Sequence, residues 1–251
     1  MKIIQFSDLH FTSIPSTTST QVNAIRLALA SDSEIEVVVV TGDIFEAGTS
    51  HKFKYEKLKE IFSPYPVICC LGNHEFFFRT PEQTLEEYRC HYDSRLGVHY
   101  LDVAGHVDIG NYRFVGNVLW YDGSLRAVLN QDLYDFAGRT WLDYSIKEFN
   151  YEKEFNKCIE QINANLAEDG KRNILLTHCV PFRDVNAHPP VSEYNAFSGV
   201  DDITKHIGYN FEYSFSGHTH KRVLGEFKGC RCVNCGNDMW PSALQYCVVD
   251  V

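Results

Sequence analysis

Eight side chains of metal-binding type lie in short polar clusters along this chain: Asp8 and His10, Asp43, Asn73 and His74, His178, and finally His218 and His220. They offer carboxylate, amide oxygen and imidazole, with no cysteine among them. That donor set suits a divalent ion of the manganese, iron or zinc type and argues against a thiolate-rich structural zinc site. Asp8 and His10 are two apart, so in an extended segment both project to one side and can reach one ion. Each cluster alone is weak. A DxH pair reads equally well as a capping Asp beside a surface His, and an Asp after a strand often caps the next helix.

What gives the set weight is the kind of element that precedes each cluster. Residues 2–7, 37–41, 67–71, 173–177 and 213–216 are short apolar runs that read as strands, and the four valines of 37–40 suit a strand buried on both faces. Between the first three lie helical patterns, Val22, Ile25 and Leu29, then residues 53–62, which stop before Ser63-Pro64-Tyr65-Pro66. Strand, helix, strand, helix, strand predicts right-handed parallel crossovers. Ligands of such sheets gather beyond the carboxyl ends of the strands, where these clusters fall.

The remaining elements are expected as follows. Thr80 as N-cap, Pro81 at the first helical position and Gln83 closing a capping box start a helix running to about Ser94. Gly110-Asn111 joins residues 107–109 and 112–115 into a hairpin. Phe155, Ile159, Ile162 and Leu166 mark an amphipathic helix ending at Gly170. Residues 122–151 are aromatic and polar without periodicity, an irregular and cap-like excursion. Residues 179–199 form a Pro-containing loop suited to face a substrate. A short helix is expected over 201–206. Residues 223–227, 231–233 and 245–249 read as antiparallel strands joined at Lys228-Gly229 and 236–241.

With 251 residues, 44% of them hydrophobic, and 17 Phe and 14 Tyr, the chain can bury a large core, and residues 1–251 read as one domain. A formal charge of −10 disfavours a surface that tracks duplex nucleic acid. No apolar stretch approaches the roughly 20 residues that span a bilayer, so no membrane partner is expected. Nine cysteines, an odd number, and an N-terminus without the pattern of a cleaved leader favour a reduced, cytoplasmic setting. Cys230, Cys232, Cys235 and Cys247 do not make a paired CxxC set and read as buried free thiols.

In order and residue type, DxH, GD, GNH, a lone His and GHxH resemble the metallophosphoesterases, the calcineurin-like phosphoesterase superfamily, from Asp8 to His220. The resemblance implies an α/β fold, a four-layer α/β/β/α sandwich of two mixed β-sheets flanked by helices. It implies a dinuclear metal site at the strand ends, with two divalent ions, Mn2+, Fe2+/Fe3+ or Zn2+. Asp8, His10, Asp43 and His220 would hold one ion, and Asp43, Asn73, His178 and His218 the other, with Asp43 bridging. The implied reaction is hydrolysis of a phosphomonoester or phosphodiester by a metal-bridging hydroxide, the two ions gripping the phosphoryl group.

In that family the His of the GNH motif lies near the leaving-group oxygen, so His74 is the implied general acid. Glu46 falls where the protein phosphatases carry the Asp that supports this His, and is a candidate catalytic partner; its other reading is a solvent-facing Glu at a helix start. Ala47 falls where those enzymes carry a phosphate-clamping Arg. Ala cannot replace a bidentate guanidinium, so the chain departs from the protein phosphatases and symmetrical dinucleotide tetraphosphatases. It looks closer to the bacterial-type phosphoesterases and the cyclic-nucleotide phosphodiesterase-like branch. Asn73 and Arg183 are candidate substrate contacts, with Arg79 and His188 as alternatives, although charged loop residues are more often plain surface. Residues 76–78 and Trp120-Tyr121 could stack on an aromatic leaving group or simply belong to the core. The expected partner is a small phosphoester, nucleotides included. Two other functions compete: a nuclease of the same superfamily, disfavoured by the acidic charge, and a non-catalytic scaffold, which would be expected to have lost ligands.

Overall fold

The valines of the 37–40 run are fully buried because they serve two cores. Val38 and Val40 pack with Ile4, Phe6, Ile25 and Leu29 beneath helices, whereas Val37 and Val39 face Phe114, Ile174, Leu176 and Phe215 of a second sheet. Side chains alternate across a strand, so an unbroken apolar run is what a strand covered on both faces requires. The computed structural model in which this is seen describes residues 1–12, 15–47, 51–126, 142–168, 170–190, 192–237 and 244–251.

The first half of the chain contributes β1 (Lys2–Phe6), α1 (Pro15–Ala30), β2 (Ile35–Thr41), α2 (His51–Phe62), β3 (Val67–Cys70), α3 (Pro81–His91), β4 (Val98–Tyr100), α4 (Leu101–Ala104), β5 (His106–Ile109) and β6 (Tyr112–Asn117). The second half contributes α5 (Tyr151–Asn165), β7 (Arg172–Thr177), α6 (Thr204–Ile207), β8 (Tyr213–Ser216), β9 (Arg222–Phe227), β10 (Cys230–Cys235) and β11 (Cys247–Asp250). One sheet has the order β11-β1-β2-β3-β4 and the other β5-β6-β7-β8-β10-β9. In the first, β1 to β4 are parallel and β11 is antiparallel; in the second, β6, β7, β8 and β10 are parallel and β5 and β9 are antiparallel. Helices α1 to α3 pack in succession on one outer side and α5 lies against β6 on the other, giving the four expected layers of an α/β sandwich.

Local signals set several boundaries. Thr80 Oγ1 accepts the Gln83 N–H at 3.2 Å and Gln83 Oε1 accepts the Thr80 N–H at 3.1 Å, with Pro81 next in line. The helix they start ends at His91, before the expected Ser94, and a separate 3-10 turn covers Ser94–Leu96. The hairpin at Gly110-Asn111 forms as β5 and β6. Strand β4 and the one-turn α4 are too short to leave a periodic pattern, and neither was expected.

The tail differs from its sequence reading. β9 and β10 do form an antiparallel hairpin, but β11 crosses to the other sheet and pairs with β1, Ile3 opposite Val249 and Gln5 opposite Cys247. Cys247 and Val249 thereby join the core between the sheets, which a third strand beside β9 would have left without them. Of the excursion expected over 122–151, residues 127–141 lie outside the described residues; a 3-10 turn at Leu142–Ser145 leads from it toward α5. No helix among the described residues is long and apolar enough to cross a membrane.

Candidate metal centre

The ends of β1, β2, β3, β7 and β8 deliver their polar residues to one place. Ligand-type atoms of Asp8, His10, Asp43 and His220 lie within 4.8 Å of one another, and so do those of Asp43, His178 and His218. Asp43 belongs to both groups. Its Oδ2 stands 3.3 Å from His178 Nε2, 3.8 Å from His74 Nε2 and 4.0 Å from His10 Nε2. Asp8 Oδ1 stands 3.4 Å from His220 Nε2.

The backbone bends sharply to achieve this. Asp8, His10, Asp43, His218 and His220 have φ of 51°, 46°, 47°, 68° and 54°. Left-handed residues other than glycine cost on the order of 1–3 kcal/mol each and persist only where the surroundings hold them. Here the turns after β1 and β2 run side by side: the amides of Asp8, His10 and Phe11 donate to the carbonyls of Gly42, Asp43 and Ile44 at 3.1, 2.9 and 2.8 Å. Gly42, at φ 80°, lies so close to His178 that a Cβ there would sit 2.4 Å from the ring Nδ1. A Cβ on Gly72 would sit 2.2 Å from Asp43 Oδ1. The glycines of the GD and GNH motifs are therefore required by close packing at the cluster.

Hydrogen bonds then decide which way each imidazole presents its lone pair. His10 Nδ1 donates to Glu46 Oε1 at 2.8 Å, His178 Nδ1 donates to the Thr41 carbonyl at 2.8 Å, and His218 Nε2 donates to the Phe197 carbonyl at 3.0 Å. Carbonyls accept only, and so does the ionised Glu46, whose pKa falls to about 2: burial opposes ionisation, but the bonds from His10 and His74 favour it. The remaining nitrogens turn inward and converge. His178 Nε2 and His218 Nδ1 face each other at 3.1 Å, with Asn73 Oδ1 3.0 Å from the former. His10 Nε2 is buried and has no hydrogen-bond partner among the described residues. Acceptors packed against acceptors call for a cation. A proton on His178 is one such: burial opposes it, yet Asp43 raises that imidazole to about 10, while burial and the charge on His178 push His218 down to about 3. Carboxylate, amide oxygen and imidazole nitrogen at these separations equally fit divalent metal ions.

Glu46 stands beside His74 as its candidate partner, Oε2 3.2 Å from Nδ1, and in addition holds His10, so one carboxylate serves both imidazoles. Three further buried carboxylates, Glu75, Asp102 and Asp143, brace the strand ends around the cluster. Glu75 accepts the amides of Ile44, Phe45 and Gly72 at 2.9, 2.8 and 2.7 Å and so joins the turns after β2 and β3. Asp102 accepts the amides of Leu71 and Val118, at 2.8 and 2.9 Å, tying the end of β3 to the stretch after β6. Asp143 Oδ1 accepts from Asn73 Nδ2 at 2.7 Å. Glu75 lies three residues after Gly72, whose amide it accepts, but glycine has no side chain to complete a capping box, so none of the three has a local signature.

A cavity of about 510 Å³ opens over the cluster, lined by Asn73, His74 and Asp143 beside the ligand-type residues and by Phe77, Leu142, His188, Tyr194 and Lys221. Arg183 does not line it, for its guanidinium is held by Asp201 at 2.7 Å, and Arg79 pairs with Glu87. Phe76 and Trp120 are buried against each other with ring centroids 5.2 Å apart and belong to the core. The nine cysteines are free thiols, and Cys230, Cys232, Cys235 and Cys247 are buried.

A family model described as calcineurin-like phosphoesterase matches residues 1–222. The chain belongs to the calcineurin-like phosphoesterase family. Members of this family normally use two divalent metals, in keeping with the paired clusters around Asp43. No curated protein matches the chain by sequence. Among solved structures, the phosphopantetheinyl hydrolase of Mycobacterium tuberculosis superposes with a TM-score of 0.62 at 18% identity, covering 94% of this chain and 89% of the other. A putative 5′-nucleotidase from Staphylococcus aureus gives 0.52 at 13% identity, covering 94% of this chain and 48% of that longer one. The Plasmodium inner-membrane-complex anchor GAP50 gives 0.50 at 12% identity, covering 99% and 80%. At such identities these likenesses speak for the shared fold.

Proposed function

We propose that this phosphoesterase-family chain is a dinuclear metal-dependent hydrolase of a small phosphomonoester or phosphodiester. The observation that supports this most directly is the orientation of His10, His178 and His218, each holding one ring nitrogen against a carboxylate or carbonyl and turning the other inward. On this reading Asp8, His10, Asp43 and His220 hold one divalent ion, and Asp43, Asn73, His178 and His218 the other. Mn2+, Fe2+/Fe3+ and Zn2+ all suit such donors. When bound, such a pair supplies Lewis acidity to the phosphoryl oxygens and makes water acidic enough to attack near neutral pH.

The chain's own contribution to bond breaking falls to His74. Glu46 accepts from its Nδ1, which leaves Nε2, 3.8 Å from Asp43 Oδ2 and on a residue lining the cavity, as the nitrogen that would protonate the leaving-group oxygen. Burial disfavours the imidazolium, but Asp43 and Glu46 raise its pKa to about 9, so a proton is available at neutral pH. Proton donation to a departing alkoxide is typically worth 10²–10⁴-fold. Phe77, Leu142 and Tyr194 suit an apolar or aromatic alcohol portion, such as a nucleoside.

The test is a phosphoester panel at fixed Mn2+, with aryl mono- and diesters, 5′-nucleotides, and 2′,3′- and 3′,5′-cyclic nucleotides. Turnover of at least one class is expected, with most of it lost in Asp43→Asn. Silence across the panel, with two metals confirmed bound, would refute the proposal.

A further inference from the structure

Asn73 can serve a cation only through its amide oxygen, yet the two faces of a side-chain amide are nearly the same shape. The terminal torsion is broad and roughly two-fold, so nothing in Asn73 itself prevents its NH2 from turning inward. The partner on the far side of the amide decides. Asp143 is 1% exposed, and its Oδ1 stands 2.7 Å from Asn73 Nδ2. A carboxylate offers only lone pairs, so the amide group facing it must be the NH2. The oxygen is then forced to the opposite side, where it lies 3.0 Å from His178 Nε2.

Asp143 is itself held firmly. Its 3-10 turn, Leu142–Ser145, is bound to the segment that follows the GNH motif: the Phe78 amide donates to the Ser145 carbonyl at 3.2 Å and the Lys147 amide to the Arg79 carbonyl at 2.9 Å. The buried Tyr121 hydroxyl interacts with the same carboxylate. A residue 70 positions away in sequence thus sets the orientation of Asn73.

We propose that Asp143 is a positioning residue that locks the Asn73 amide with its oxygen toward the metal cluster, so that one of the two metal sites is formed before the ion arrives. The inference rests on Asn73 being a metal ligand, as proposed above. Removing such an outer partner typically weakens metal affinity by about 10–100-fold.

Mn2+ titration by calorimetry on the full chain tests this without any turnover assay. Asp143→Asn keeps the volume but can pair with Asn73 in either amide orientation. It should weaken one of the two Mn2+ sites by about 10–100-fold and leave the other within about threefold. The exchange variant Asn73→Asp/Asp143→Asn reverses donor and acceptor, conserves charge and presents an oxygen inward whichever way residue 73 turns. It should restore both sites, which a merely structural role for Asp143 would not produce, and it carries the test if Asp143→Asn alone does not fold. Unchanged affinities in Asp143→Asn, or an exchange variant that lacks the second site, would overturn the inference. Two Mn2+ bound without hydrolysis of any phosphoester would overturn only the proposed activity; a parent chain that binds no Mn2+ would overturn both.

Discussion

The Oε2 of Glu46 stands 3.2 Å from Nδ1 of His74. Since its other oxygen holds His10 at 2.8 Å, the carboxylate links the proposed acid to a proposed metal ligand, and the two roles separate by mutation. His74→Asn is expected to lower kcat by about 10²–10⁴-fold with bound metal unchanged. Glu46→Gln should lower kcat and also weaken one metal, by about 10–100-fold, because an amide has one acceptor oxygen and its NH2 must face either His10 or His74. Steady-state kinetics beside metal analysis distinguishes them. If His74→Asn strips a metal, the roles are misassigned.

Gly42 leaves no room for a side chain. An added Cβ would stand 2.4 Å from His178 Nδ1, at a φ of 80° that L-residues seldom adopt. Gly42→Ala should therefore displace His178 and destabilise the fold by at least ~2 kcal/mol. Thermal unfolding with a Mn2+ titration reads both effects. A variant with parental melting temperature and affinity would contradict the close packing described.

Metal removal should lower stability. Without metal, the facing nitrogens of His178 and His218, 3.1 Å apart, are bridged only by the proton that His178 holds, and metal ions that replace it bind the folded chain alone. Ligand at 100 times its Kd adds about 2.7 kcal/mol per site, which raises the melting temperature of a chain of this size by roughly 5–10 °C. Differential scanning calorimetry with Mn2+ and then with chelator measures it. Identical melting under the two conditions would count against metal at this cluster.

Lys54 predicts a pH effect away from the cluster. It is 3% exposed, donates to the Tyr88 hydroxyl at 3.0 Å, and burial takes its pKa from 10.5 down to about 8. Between these values the folded chain holds fewer protons than the unfolded one, so this group makes unfolding free energy rise with pH across about 8 to 10.5. Below pH 8 the folded state carries a buried charge. Lys54→Met should thus be the more stable protein at pH 7, by up to ~3 kcal/mol at 1.36 kcal/mol per pKa unit, with the difference closing near pH 10. Urea unfolding of parent and variant at pH 7, 8, 9 and 10 checks it; a difference that does not shrink with pH would sink the idea.

Chain order alone determined that Asp8, His10, Asp43, Asn73, His74, His178, His218 and His220 follow strands and must therefore gather at strand ends. The signals are local: apolar runs of strand length, polar residues directly after them, and capping residues such as Thr80 and Gln83. Periodicity and capping act over a few residues, so they survive in one dimension. Only the tertiary structure decided that β11 completes the first sheet beside β1, that Arg183 is taken by Asp201 away from the cavity, and that Asp143 meets Asn73. Those pairings join residues whose separation in sequence bears no relation to their separation in space. A carboxylate, amide or guanidinium looks the same in a sequence whatever it will face, and packing of the two sheets chooses its partner.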